Sequence, residues 1–215
     1  MKWDYGDVYK QYPIDTGIAF FPDGSKLKCH DIFNPLPKFM YEADIVFVDS
    51  PWNKGNLRSF YTKAEIEPPE TDYTKFYKRL FECIKEINPK TTYCEIGKEH
   101  LADFIVEMRK IYKYVTFYNS TYYHNKKNLC YIVRGSLKKK IIPLDGMDEE
   151  DIIQWICIKE DYECIADLCM GRGLTAINSA LNKKRFVGTE LNHKRLSVAL
   201  QRLSNIGMEY YIENT

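Results

Sequence analysis

The segment 164–190, CIADLCMGRGLTAINSALNKKRFVGTE, restricts the fold of this chain more than any other stretch. A short apolar run ends at Asp167-Leu168, and Gly171-Arg172-Gly173 then turns tightly into a helical pattern in which Ala176 completes G-x-G-x-x-A. A second apolar run, 186–189, closes on Glu190. Strand, glycine turn, helix, strand and acid in that order describe a βαβ unit with parallel strands. The glycines of such a unit serve the turn and let backbone approach a ligand, and the acid accepts hydrogen bonds from ribose hydroxyls. Two glycines in a strand-to-helix turn often serve packing alone. The ordered context is what points to a nucleoside-type cofactor.

The rest of the chain repeats the same alternation. Strands are predicted at 26–30, 45–49, 91–96, 114–119, 129–133, 164–168 and 186–189, and helices at 72–87, 98–112, 148–158, 174–183 and 192–205. In the first helix Tyr73, Phe76, Tyr77, Leu80, Ile84 and Ile87 recur at helical spacing, and Asn88-Pro89 ends it. Asp148 is a plausible N-cap, and Gly207 stops the last helix. The expected architecture is a single α/β domain over 1–215, with a mostly parallel central sheet and helices on both faces. The runs at 114–119 and 129–133 flank the polar stretch His124–Asn128 as an antiparallel hairpin. Residues 53–71 show no clear periodicity, and Pro68-Pro69 argues against a helix there, so a long loop is expected. The cluster Lys138-Lys139-Lys140 is read as a solvated turn.

Composition narrows the partners little. With 31 basic and 30 acidic residues the net charge is +1, which neither announces a nucleic-acid binder nor excludes a local basic patch. Seven cysteines without a C-x-x-C pair argue against a disulfide framework and a zinc site, so no metal ligands are expected. No apolar run approaches the roughly 18 residues of a membrane span. The N-terminus MKWDYGDVYK lacks a signal-peptide core. A soluble, cytoplasmic protein is expected.

The cofactor class follows from what surrounds the glycines. A nicotinamide fold needs further βα units after this motif, yet only 25 residues follow Glu190. Asp167, two residues before Cys169, is unsuited to a pyrophosphate. A carboxylate there suits a ligand with a positive end, such as the ammonium of S-adenosylmethionine.

The apolar run Ile45–Val48 ends in Asp49-Ser50-Pro51-Trp52, at the carboxyl end of a strand where ligands of open α/β sheets bind. The plain reading is a strand end capped by an Asp turn, with Trp52 half buried. The functional reading starts from a poor nucleophile, an exocyclic amino nitrogen whose lone pair is delocalised into its ring. Asp49 and the Ser50 carbonyl would each accept one N–H and draw the nitrogen toward tetrahedral geometry. Pro51 would fix the backbone, and Trp52 would stack on the base, a contact of about 1–3 kcal/mol. With the glycine loop alongside, the functional reading is preferred.

Together, Asp49-Ser50-Pro51-Trp52 and Asp167-x-Cys169-x-Gly171-x-Gly173-Leu174-Thr175 resemble the catalytic and cofactor motifs of the S-adenosylmethionine-dependent amino-methyltransferases of DNA, which modify adenine N6 or cytosine N4. The order of the two motifs is similar to the permuted, β-class members. The resemblance implies a Rossmann-like methyltransferase fold. It implies cofactor contacts from Asp31, Asp167, Cys169, Gly171, Gly173, Thr175 and Glu190, and the 186–190 stretch followed by a helix with Arg195 is similar to the family's ribose-binding segment. Aspartate at position 49 leans toward adenine N6.

The chain departs from the family pattern at Ser50, where proline is usual, and before the cofactor strand, where Ile142-Pro143-Leu144-Asp145-Gly146 replaces a Lys-Pro pair. A base inside a duplex must be flipped out of the stack to react, and Tyr122 or Tyr123 could meet its second face, although hairpin packing is the plainer role. No sizeable target-recognition domain is expected. Lys54, Arg58, Tyr61 and Lys63 are the candidate nucleic-acid contacts, with relaxed sequence preference or help from a second subunit. Two rivals stay open: an RNA adenine methyltransferase, since Asp-x-Pro-Trp also resembles a family acting on RNA, and a catalytically silent partner subunit.

Overall fold

The structure is a computed structural model that describes residues 5–68 and 72–214. Nine strands form one sheet: β1 (Ile18–Phe20), β2 (Lys26–Cys29), β3 (Ile45–Asp49), β4 (Thr91–Ile96), β5 (Tyr114–Tyr122), β6 (Asn125–Ser136), β7 (Cys164–Asp167), β8 (Arg185–Glu190) and β9 (Tyr211–Glu213). Their spatial order is β5-β6-β4-β3-β7-β8-β2-β1-β9. The helices are α1 (Val8–Gln11), α2 (Lys54–Lys63), α3 (Tyr73–Ile87), α4 (Leu101–Ile111), α5 (Glu149–Lys159), α6 (Leu174–Leu181) and α7 (His193–Asn205).

The five central strands, β4-β3-β7-β8-β2, run parallel. The pairs β4–β6, β5–β6, β1–β2 and β1–β9 are antiparallel, so half of the pairings contradict the expected mostly parallel sheet. Two causes account for the difference. The hairpin is longer than its apolar runs, because Tyr123 and His124 take positive φ (59° and 49°) and make a two-residue turn. Asn125–Asn128 therefore extend β6 instead of forming a loop. At the opposite edge, β1 and β9 have three residues each, too few for a period of two to register.

Strand alternation divides the core between the two faces. Val46 and Val48 of β3 join the cluster packed by α2, α3 and α4. Ile45 and Phe47 join the one packed by α5, α6 and α7. Both faces of β3, β4 and β7 are thus covered, which is why these strands read as unbroken apolar runs. Among the described residues no helix is long and apolar enough to cross a membrane.

The expected loop at 53–71 is corrected over its first half. Asn53 caps α2 by accepting a hydrogen bond from the Asn56 amide at 2.9 Å, and Leu57 and Tyr61 form a narrow buried stripe on an otherwise polar helix. That stripe is too thin to show as periodicity. Pro68 lies beyond the helix end, so it does not prevent the helix, and Pro69 lies outside the described residues.

The connection after β3 leads to β4 on one side, while that after β7 leads to β8 on the other. Strands β3 and β7 therefore flank a topological switch point, and a crevice opens beyond their carboxyl ends. Asp49 ends one of them and Asp167 the other.

Candidate active site

The glycine loop is pinned from both sides by carboxylates. Asp167 accepts hydrogen bonds from the Cys169 amide (2.9 Å) and the Thr175 hydroxyl (2.7 Å), tying the end of β7 to the first turn of α6. Glu190 accepts from the amides of Gly171 (2.7 Å) and Asn192 (2.9 Å). Gly171 and Gly173 both lie in the left-handed region, with φ of 57° and 79°. A Cβ on Gly171 would sit 2.9 Å from the Arg195 guanidinium, and one on Gly173 would sit 2.7 Å from Cβ of Ala199. The first glycine keeps a cradle open and the second permits α6 and α7 to pack. Burial is the main reason the Asp167 carboxyl is pushed up to about 7, with Thr175 and the Cys169 amide opposing the rise.

Two connected hollows line the crevice. One is walled by Leu57, Phe60, Tyr61 and Phe76, with Asp31, Glu190 and Arg195 at its polar edge. The other runs from Asp167, Gly171 and Thr175 past Asp49 to Tyr123 and Glu149. Cys169 and Arg195 border both. The Arg195 guanidinium lies over the Phe60 ring at 4.9 Å. An apolar slot with carboxylates at its rim fits a nucleoside, and the glycine cradle beside Asp167 fits an amino-acid end. The residues present therefore fit S-adenosylmethionine.

Asp31, expected near a cofactor adenine, borders the apolar slot, where its Oδ1 accepts from the Tyr61 hydroxyl (2.9 Å) and the Phe33 amide (3.0 Å). Tyr61 is corrected here. At 2% exposure it is a wall of the slot and the brace of Asp31, not a contact for nucleic acid. Lys54 and Arg58 project from the exposed side of α2, and Lys63 is half-buried at its end.

The segment after β3 is held rigidly. The Tyr73 hydroxyl donates to the Pro51 carbonyl at 2.6 Å, and the His100 ring packs on Tyr73 with centroids 4.4 Å apart. Ser50 is buried. The Trp52 indole donates a hydrogen bond to the Asp49 carboxylate. It also meets Tyr122 edge-on at 5.2 Å and lies against Gly97, where a Cβ would come within 2.9 Å of the ring. Tyr122 thus packs on Trp52, and Tyr123, exposed at the hairpin turn, is the hairpin tyrosine that borders the crevice.

Asp49 opens onto the crevice yet sits deep between the strand ends. Burial first, and the neighbouring Glu149 second, raise its pKa above the ordinary carboxylate range, while Arg195 and the Trp52 indole pull it back. Glu95 is raised by burial and then by Asp49, and Glu149 by burial.

Sequence reasoning missed Phe60, Glu95 and Glu149, and placed Arg195 only by its segment. Glu95 had a signal, since it is the register partner of Asp49 on a strand that ends at the same crevice. Glu149 had none, because the first turn of α5 reads as an ordinary capped helix start. The stretch 142–146, where the family has Lys-Pro, packs under the hairpin: Ile142 and Leu144 are buried, and Asp145 accepts from the Asn119 amide at 2.9 Å.

No family model and no curated relative matches this chain. Solved structures do match its fold. M1.HpyAVI in complex with SAM superposes with a TM-score of 0.58 at 11% identity, covering 82% of this chain and 98% of that one. TTHA0409 of Thermus thermophilus, described as a DNA modification methylase and complexed with S-adenosyl-L-methionine, gives 0.61 at 14% identity, with 86% and 97% covered. The cytosine-N4-specific PvuII DNA methyltransferase gives 0.58 at 8% identity, with 85% and 89% covered. The chain has the fold of these enzymes over nearly their whole length.

Proposed function

We propose that this protein transfers a methyl group from S-adenosylmethionine to the exocyclic amino nitrogen of a base in DNA, adenine N6 in preference to cytosine N4. The observation that carries the reading is the juxtaposition at the switch point. Asp49-Ser50-Pro51-Trp52 and the Asp167–Gly173 loop leave neighbouring parallel strands and face one crevice. The proteins of the same fold described as DNA methylases and found with this cofactor support it, and the aspartate at 49 supports adenine.

When bound, the cofactor supplies an electrophilic sulfonium methyl. The chain's own residues do the rest. Asp167 receives the ammonium end, Glu190 the ribose hydroxyls, and the slot beside Asp31 the adenine. Asp49 accepts one N–H of the target amino group and the Ser50 carbonyl the other, so the nitrogen lone pair is aimed and not left in the ring. The Trp52 indole N–H and the Tyr73–Pro51 bond fix these acceptors before substrate arrives, which is where preorganised sites gain their rate. As the nitrogen becomes cationic, Asp49 takes its proton. Lys54 and Arg58 supply phosphate contacts beside the crevice.

Calorimetric titration with S-adenosylmethionine tests the cofactor site, and the expected result is one site per chain, lost in Glu190→Ala. No heat in the wild type would revive the silent-subunit alternative. The pH dependence gives a sharper check. Asp167 must be ionised to receive an ammonium, and in the free protein it holds its proton to about 7. Affinity is therefore expected to climb as pH rises through about 7, and a flat profile from about pH 6 to 7.5 would contradict the assignment. The sign for stability is opposite. An unfolded aspartate ionises near pH 4, so the contribution of this carboxyl to the free protein's stability is full below about pH 4 and is lost as pH rises through about 7.

A further inference from the structure

Three carboxylates meet at the floor of the crevice from three separate elements: Asp49 at the end of β3, Glu95 in β4 and Glu149 in the first turn of α5. One oxygen of each lies within 4.8 Å of the others. Glu95 is 1% exposed, and its Oε2 has no hydrogen-bond partner. That is out of keeping with the rest of the molecule. The other buried carboxylates among the described residues, Asp148, Glu160, Asp167 and Glu190, each accept from two or more donors. A buried acceptor without a donor is costly unless something else satisfies it.

The spacing suggests what that is. A hard divalent cation bound by oxygen at about 2.0–2.6 Å places opposite ligand atoms about 4–5 Å apart, the span of this trio. All-carboxylate donors favour magnesium, manganese or calcium over metals that prefer nitrogen or sulfur. The cysteine and histidine spacings that mark a zinc site are beside the point here, since the ligands come from three elements far apart in sequence.

We propose that Asp49, Glu95 and Glu149 bind one hard divalent cation. Because Asp49 is shared, the cation and the target amino group exclude one another: a carboxylate oxygen that ligates metal no longer accepts the N–H that aims the nucleophile. The site would make methyl transfer sensitive to divalent metal in the absence of bound target. This second consequence rests on the methyltransferase reading, whereas the binding site does not.

Mn2+ is the probe, followed by electron paramagnetic resonance on the full chain. One ion per chain is expected, with affinity lowered roughly tenfold or more in Glu95→Gln and in Glu149→Gln. Glu150→Gln, one residue along the same helix, is expected to bind as the wild type does. The glutamines match the glutamates in size, and a thermal melt shows whether each variant is folded. If Glu95→Gln does not fold, Glu149→Gln, nearer the helix surface, carries the test. No binding at millimolar Mn2+, or wild-type binding in the folded variants, would overturn the site. Methyl transfer that is slowed by Mn2+ in the wild type but not in Glu149→Gln supports the exclusion, and transfer indifferent to saturating Mn2+ overturns it. Cofactor titration, which involves neither Glu95 nor Glu149, separates failure of this proposal from failure of the functional one.

Discussion

Asp49→Ala is expected to lower methyl transfer by about 10²–10⁴-fold, the range for losing a positioned acid–base group, while S-adenosylmethionine binds nearly as before. The reason lies in what Asp49 touches. Its carboxylate receives the Trp52 indole N–H and faces the crevice, but the glycine loop is held by Asp167 and Glu190, which do not depend on it. The loss should therefore fall on turnover and spare cofactor affinity. Asp49→Asn separates charge from shape: it keeps an oxygen acceptor and loses the proton acceptor, so its rate should lie between the two. The alanine variant should also melt no earlier than the wild type. Asp49 is raised by burial and by Glu149, so its ionised form opposes folding. Sites that hold charge in an unfavourable place for chemistry commonly gain stability when that charge is removed. A variant that keeps wild-type turnover contradicts the role given to Asp49, and one that loses cofactor binding in step contradicts its placement.

The second large effect is structural. Gly173→Ala is expected to cost about 2–4 kcal/mol, combining about 1–2 kcal/mol for a left-handed alanine with overpacking of about 1–3 kcal/mol. The added methyl would lie 2.7 Å from Cβ and 3.2 Å from Cα of Ala199, and the backbone of α7 cannot step aside without moving the helix. Gly171→Ala has the same backbone penalty, but its methyl meets the end of the Arg195 side chain, which can swing away. The order of urea midpoints should be wild type, then Gly171→Ala, then Gly173→Ala. Cofactor affinity should fall more than stability does in Gly171→Ala, because the cradle is what that methyl fills. Equal midpoints for the two variants would show that the helix contact does not set the cost.

Much of this is legible in the sequence. The helix over 72–87 shows itself through a six-residue stripe, and Asn88, with φ of 55°, terminates it as an αL cap. The βαβ unit at 164–190 folds as its glycines and closing acid imply. What could not be read falls into two physical kinds. Short elements carry too little pattern: β1, β9 and the thin-striped α2 are stabilised by neighbours, not by their own periodicity. Side chains that meet only through topology leave no spacing rule. Glu95 and Glu149 are 54 positions apart, and nothing in either neighbourhood announces that both will reach Asp49. Tyr61 illustrates the converse error. An aromatic ring among lysines and an arginine suggests a nucleic-acid contact, but one helical turn after Leu57 it points inward and braces Asp31.

The central claim is a chemical one, that the nitrogen aimed by Asp49 is the exocyclic amine of a base in DNA. Incubation with methyl-labelled S-adenosylmethionine and matched DNA and RNA, followed by digestion to nucleosides, tests it most directly. The account predicts label in N6-methyldeoxyadenosine from the DNA, with none from the same digest of Asp49→Ala. Label confined to RNA or to N4-methylcytosine, or equal label with and without Asp49, would contradict it.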